Sequence, residues 1–158
     1  MTTAAPYTAV GDKLKATSGV STLVGTWKSE ASIFARRAPE GIRQPATTGG
    51  NFSSYIVIRK TQGEAVNHLT NRLDKFRISP MGIYCFAATH TLASSLADAV
   101  LTAIDSDATA QTGTQTWGTF SVDRCELIDR YDASTDPSMG DEIDFYCEAI
   151  EIKLYHVC

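Results

Sequence analysis

Hydrophobic and polar positions change period once, abruptly, between Asp74 and Asp105, and the rest of the chain is organised around that change. Phe76 to Ala88 is rich in β-branched and aromatic residues, which predicts a strand. From Thr91 to Ile104 the spacing becomes helical: Leu92, Leu96, Val100 and Ile104 recur every four residues, with Ala93, Ala97 and Leu101 beside them. Thr89 or Thr91 offers a hydroxyl to cap the first unpaired amides. Asp98 and Ser94–Ser95 fall toward the wetter side. Ala93, Ala97, Ala99 and Ala103 keep the helix slim, so that it can lie close on a sheet. A strand running into such a helix is scaffold and carries no reactive group at its centre.

Upstream, Tyr7, Val10 and Leu14 fall at helical spacing with Asp12, Lys13 and Lys15 facing away, so a helix is expected over Tyr7–Ser18. Ser18-Gly19 is expected to break it, and Val20, Leu23 and Val24 to form one more turn closed by Gly25. Ser32–Arg36 reads as a first strand and Tyr55–Thr61 as a second. Between them Pro39, Gly41, Pro45, Gly49 and Gly50 punctuate a long polar loop, Ala38–Ser54. Gly63–Arg72 reads as a polar connection. Pro80 and Gly82 interrupt the third strand, which is expected to bulge, lie at an edge or split, because proline lacks the ladder amide.

Asp105–Gly118 reads as an outward loop. Thr119–Arg130 is a fourth strand whose alternation slips near Asp123, and Tyr131–Asp141 is an exposed turn. In the last strand, Glu142–His156, Phe145, Cys147 and Ala149 alternate on one phase and Ile150, Ile152 and Leu154 on the other. That shift predicts a bulge near Glu148–Ile150 or burial of both faces. The order helix, strand, strand, strand, helix, strand, strand argues an α+β fold. Its helices would pack on one face of a small mixed or antiparallel sheet, as a single domain spanning residues 1–158.

A hydrophobic fraction of 43% in 158 residues suffices for one modest core. No apolar run approaches the roughly 20 residues of a membrane helix. The start, Met1–Lys13, has neither a basic nor an apolar region, so no secretory signal is expected. Cys85, Cys125, Cys147 and Cys158 form no C-x-x-C pair, and three of them sit in expected strands; reduced core thiols in a cytosolic setting are the reading. Charge divides the chain unevenly. Residues 1–77 carry 11 Lys/Arg and 5 Asp/Glu, a balance of +6; residues 78–158 carry 3 and 13, a balance of -10. A protomer with one basic and one acidic side is suited to head-to-tail contact with a copy of itself.

The chain offers little chemistry. His68, His90 and His156 lie at no metal-ligand spacing, and neither Cys85 with His90 nor His156 with Cys158 completes a zinc set. The run Asp132–Pro137 imitates the start of a calcium loop, but Pro137 takes the glycine position and Ile143 that of the bidentate glutamate. Phosphate-cradling glycine loops and G-x-S-x-G are absent from the sequence. Arg36-Arg37, Arg43 and Arg59-Lys60 are too sparse for an RNA surface. No catalytic residue, metal or cofactor is therefore expected.

Four segments, taken in order, resemble the tail-completion proteins of long-tailed bacteriophages, the tail-terminator or head-to-tail joining group. They are the N-terminal helix leading into Val20–Gly25, then Arg37–Gly41 with Pro45 and the strand Tyr55–Ile58. The third and most telling is Tyr84–Thr89 running into Leu96–Ile104, and the fourth is the pair of late strands around a polar turn. Ala46–Ser54 and Ser79–Gly82 depart from the family pattern, and both bear on loops more than on the fold.

The resemblance implies a non-enzymatic virion protein that assembles as a ring, typically a hexamer. Such a ring caps the tail tube, ends its polymerisation and joins the tail to the head connector. It implies contacts with copies of itself, the tube protein and a head-completion protein, and a lumen that passes genomic DNA without sequence-specific binding. It also implies a place at the tail–neck junction after assembly in the host cytoplasm, with no membrane partner. An acidic C-terminal half lining the lumen would let DNA slide. The contact candidates are the loop Gly41–Ser54 with Arg43 and Asn51, the loop Gly63–Arg72 with Asn67 and Arg72, and Tyr131–Asp141 with Asp132, Asp136 and Asp141. Arg59 and Lys60, at a strand end, are placed to pair with a neighbour's carboxylates. Another neck or tube ring fits the same pattern, and a small-ligand or enzymatic α+β domain is the alternative from a different class.

Overall fold

The computed structural model describes residues 6–39, 54–60, 65–67, 76–105, 115–134 and 146–157. Helix α1 (Pro6–Ala16) and the single turn α2 (Ser18–Ser21) lead into a tight hairpin of β1 (Thr26–Trp27) and β2 (Glu30–Ala31). The strands β3 (Ile33–Ala35), β4 (Tyr55–Lys60), β5 (Ala65–Asn67) and β6 (Phe76–Ala87) follow. After helix α3 (His90–Asp105) come β7 (Gln115–Trp117), β8 (Phe120–Asp132) and β9 (Tyr146–Val157). The expected elements occur in the expected order, and the fold is α+β.

The main sheet has the order β3-β4-β6-β9-β8-β7, with β5 added on β6. Only β3 and β4 run parallel; the remaining pairs are antiparallel, so the sheet is mixed. The sheet curls so far that α1 touches β3 and β4 near one edge and β7 at the other. On this inner face Val10 and Leu14 of α1, Leu96 and Val100 of α3, Ile56 and Ile58 of β4, Met81 and Ile83 of β6, and Ile150, Ile152 and Leu154 of β9 form one buried cluster. Each fully buried aliphatic side chain there contributes about 1.5–3 kcal/mol. Thr89 Oγ1 accepts from the Leu92 amide at 3.2 Å, which identifies Thr89 as the cap of α3.

Several local expectations change. The break after α1 falls at Thr17, whose backbone is extended (φ -91, ψ 111), while Ser18 and Gly19 begin α2. The polar connection Gly63–Arg72 contains β5, and the outward loop Asp105–Gly118 contains β7. Tyr131 and Asp132 still belong to β8.

Pro80 neither splits its strand nor places it at an edge, because β6 pairs with β9 without interruption from Phe76 to Ala87. The interruption falls on the other neighbour instead. β4 ends opposite Met81 and β5 begins opposite Ile78, so among the described residues Ser79 and Pro80 are paired on the β9 side only. The phase shift in β9 reflects burial of both faces. Cys147 and Ala149 pack on the outer face with Ala133, whereas Ile150, Ile152 and Leu154 face the helices. Cys85 and Cys147 are buried and Cys125 half-buried, and none of the three is in a disulfide. Burial pushes the Cys85 thiol well above its ordinary value.

Replacing Leu96 with Ala is expected to lower stability by about 2–5 kcal/mol, because the cavity would open between both helices and the sheet. Thr89→Ala, which removes only a cap, is expected to cost about 1 kcal/mol. Denaturant titration of the two variants beside the parent chain measures both.

Candidate functional site

The outer face of the sheet carries the features that packing alone does not require. Strand alternation turns Tyr55, Val57 and Arg59 of β4 outward, and on β6 it does the same for Gly82, Tyr84 and Phe86. Tyr55 and Phe86 stack at 4.7 Å, and Phe34 and Ala38 close that end of the face.

One transverse row stands out. Arg59 is paired with Gly82, Gly82 with Glu151, and Glu151 with Asp129, so a single line across four strands begins with a cation and ends with two carboxylates. Gly82 leaves room in the middle. A Cβ there would lie 2.8 Å from Tyr84 Cε2, because the Tyr84 ring folds over the glycine. Arg59 rests on that same ring, 5.6 Å from its centroid, and its Nε donates to the Arg36 carbonyl at 3.1 Å. Arg36 in turn donates to the Tyr7 hydroxyl at 2.7 Å. Neither guanidinium meets a carboxylate among the described residues, so the charge of both faces solvent.

At the acidic end, the Tyr131 hydroxyl donates to Glu151 Oε1 at 3.4 Å. Burial, followed by the neighbouring Tyr84 and Glu151, pushes the Tyr131 hydroxyl up to about 12. Like charges directly across a strand pair are unfavourable, yet Asp129 and Glu151 face each other, with Lys153 two residues along β9 on the same face and neither carboxylate in an ion pair among the described residues.

A second network fixes the acidic strand to the body. Arg130 Nε donates to Glu148 Oε1 at 2.7 Å, a second nitrogen pairs with Asp98, and a third donates to the Ser94 hydroxyl at 3.1 Å and its carbonyl at 3.3 Å. The contact with Asp98, then that with Glu148, raises the Arg130 pKa against the opposing effect of burial. β8 is thereby tied to α3 and β9 at once. Arg130 was not singled out in the sequence, because its partners lie 18 to 36 residues away; the spacing of Ser94 and Asp98 was the only local hint.

Of the sequence-derived contact residues, Arg59 and Lys60 are exposed at the end of β4, and Asp132 is exposed at the end of β8. Asp132 accepts from the Ser134 amide at 2.8 Å and lies 3.8 Å from His90 Nε2. Hydrogen bonding from Ser134 holds its carboxyl below the usual carboxylate range. Asn67 lies on β5, opposite Phe76. Gly41, Arg43, Asn51, Arg72, Asp136 and Asp141 lie outside the described residues. Arg59 and Lys60 thus stand at the end of β4 on opposite faces of the sheet, opposite Gly82 and Met81, and Asp132 lies on the far side at the end of β8.

The structure also reveals a Ser–His contact that the sequence did not suggest: Ser79 Oγ and His156 Nε2 are 2.8 Å apart. Ser79 is 0% exposed and His156 3% exposed, so this pair joins β6 to β9 within the core and leaves a substrate no approach to the hydroxyl. It is a buried polar tie.

Removing the Arg130 side chain as alanine would strand Glu148, whose carboxylate is only 13% exposed, and is expected to cost about 1–3 kcal/mol in denaturant unfolding. The Tyr131 shift has a definite sign. Its neutral phenol is favoured in the fold, so its contribution is complete below the unfolded value near 10 and is lost as pH rises toward 12. Tyr131→Phe is expected to retain stability that the parent chain loses over that window, as read from thermal midpoints at stepped pH.

Comparison with known proteins gives a family and a fold. The model of the family described as "Tail completion protein gp17" matches residues 8–138. No curated protein matches the chain. A chain in a solved structure, "Virion of native gene transfer agent (GTA) particle", superposes with a TM-score of 0.62 at 16% identity, covering 98% of this chain and 96% of that one. At that identity the superposition establishes a shared fold.

Proposed function

The chain belongs to the tail completion protein gp17 family, and from that premise we propose that it is a single-domain protomer of a ring that caps the tail tube. As a family member it is a structural protein of a phage tail. In the proposed role the ring ends tube polymerisation and offers the head connector a surface, with a lumen for DNA. It sits at the tail–neck junction, and its partners are copies of itself, the tube protein and a head-completion protein.

The observation that carries the proposal is the charge polarity of the sheet. Arg59 stands at one end of a transverse row and Glu151 with Asp129 at the other. A surface that is basic at one edge and acidic at the opposite edge favours heterologous contact between identical subunits. Such contact generates a closed ring when its rotation closes. In this reading Arg59 and Lys60 pair with carboxylates of the next subunit, and the segments that include Gly41, Arg43, Asn51, Arg72, Asp136 and Asp141 contact the tube or the connector.

Light scattering of the purified protein across a range of concentrations is expected to find a hexamer-sized species, alone or after addition of tail tubes. Exchanging both Arg59 and Lys60 for glutamate is expected to shift the mass toward monomer with the fold retained in circular dichroism. A monomer that neither self-associates nor binds tubes would overturn the proposal. Binding to isolated tubes, as opposed to filled heads, separates a terminator from a head-side joining protein.

A further inference from the structure

β8 is much longer than its outer neighbour. β7 pairs only with Phe120 to Val122, so from Asp123 onward the outer side of β8 has no strand partner among the described residues. Register shifts fall between Val122 and Arg124 and between Leu127 and Asp129, which makes Asp123 and Ile128 the extra residues of two bulges. Bulges interrupt an edge and discourage continuous ladder pairing, so any contact made here goes through side chains. At the second bulge a large apolar side chain is exposed. Ile128 is 46% exposed and Leu127 45% exposed, and with Tyr146 they are the large exposed hydrophobic residues of the described structure. Next to them stands the Asp129–Glu151 pair, two facing carboxylates that make no ion pair among the described residues. Leu127 lies opposite Ile152 and so on the helix side, and Asp129 opposite Glu151 on the outer side, so this edge carries exposed apolar surface and negative charge on either side of one bulge.

The complementary surface lies on the same chain. At the opposite end of the sheet Arg36 and Arg59 are exposed, and among the described residues their guanidinium groups contact a tyrosine hydroxyl, aromatic rings and a backbone carbonyl. We propose that the β8 edge around Leu127, Ile128 and Asp129 receives the Arg36–Arg59 end of a second copy of this chain. This inference rests on the ring reading and supplies its acidic half. The next subunit's Arg59 continues the transverse row, meeting Asp129 and Glu151, while its neighbouring surface covers Leu127 and Ile128. Geometry supports the division of roles. Arg130, pinned by Asp98 and Glu148, fixes β8 to the body, so the edge is presented by a rigid element.

A charge swap tests the contact. Asp129→Arg and Arg59→Glu, made singly, are each expected to weaken assembly at least tenfold, and the double variant is expected to recover most of the loss, because every interface of a head-to-tail ring then contains the reversed pair. Asp129→Arg is expected to leave the thermal midpoint of the monomer unchanged or higher, since it removes a like-charge pair; a merely structural aspartate would lower it. Leu127→Lys with Ile128→Lys is expected to abolish assembly with the fold intact. Native mass spectrometry and scattering of each variant, alone and with tail tubes, read the results. If the parent chain assembles and these variants assemble equally well, the β8 contact is wrong and the ring reading stands. Variants that still form rings but lose tube binding would assign the strip to the tube protein and overturn the contact. A parent chain that never assembles, even on tubes, would overturn both.

Discussion

The ladder between β6 and β9 is the constraint on which the rest of the structure depends. It runs unbroken from Phe76 against Val157 to Ala87 against Tyr146. Its inner face supplies Met81, Ile83, Ile150, Ile152 and Leu154 to the buried cluster that both long helices cover. Its outer face supplies Gly82, Tyr84 and Glu151 to the charged row. A one-residue slip would exchange these two sets, sending isoleucines outward and Glu151 into the core. The register is therefore held by burial, and the polarity of the outer face follows from it. On the side away from β9, Pro80 has no strand partner among the described residues, so the amide it lacks is missed by neither β4 nor β5.

Much of this could be read along the chain. The period change at Thr89, the helix over Leu92–Ile104 and the slip near Asp123 follow from spacing alone, since each depends on neighbours within a few residues. The hairpin of β1 and β2 was hidden because Lys28 and Ser29 occupy its turn with φ of 49 and 68, a conformation usually signalled by Asn-Gly. β5 and β7 are three residues each, too short for alternation to register. The site was less legible. Arg59 and Lys60 could be singled out as a strand-end cation pair. Asp129 and Glu151 become a facing pair only through tertiary register and the bulge at Ile128, which sets Asp129 opposite Glu151. The Arg130 network is likewise a product of topology, joining α3, β8 and β9.

The division of charge between the two halves of the chain acquires a geometric meaning in the fold. Arg36 and Arg59 lie near the edge formed by β3 and β4, and Asp123, Asp129 and Asp132 lie along β8 near the other edge. A sheet with unlike edges has a direction, and a protein with a direction is suited to polymerise or to close on itself. The Ser79–His156 contact lies within the core.

The central claim is that this chain closes the end of a growing tail tube. It is tested most directly by adding the purified protein to tubes that are still elongating and measuring their length by electron microscopy. The account predicts that elongation stops at stoichiometric protein and that one end of each tube carries a ring-shaped cap. Tubes that go on lengthening with bare ends, in the presence of folded protein, would contradict it.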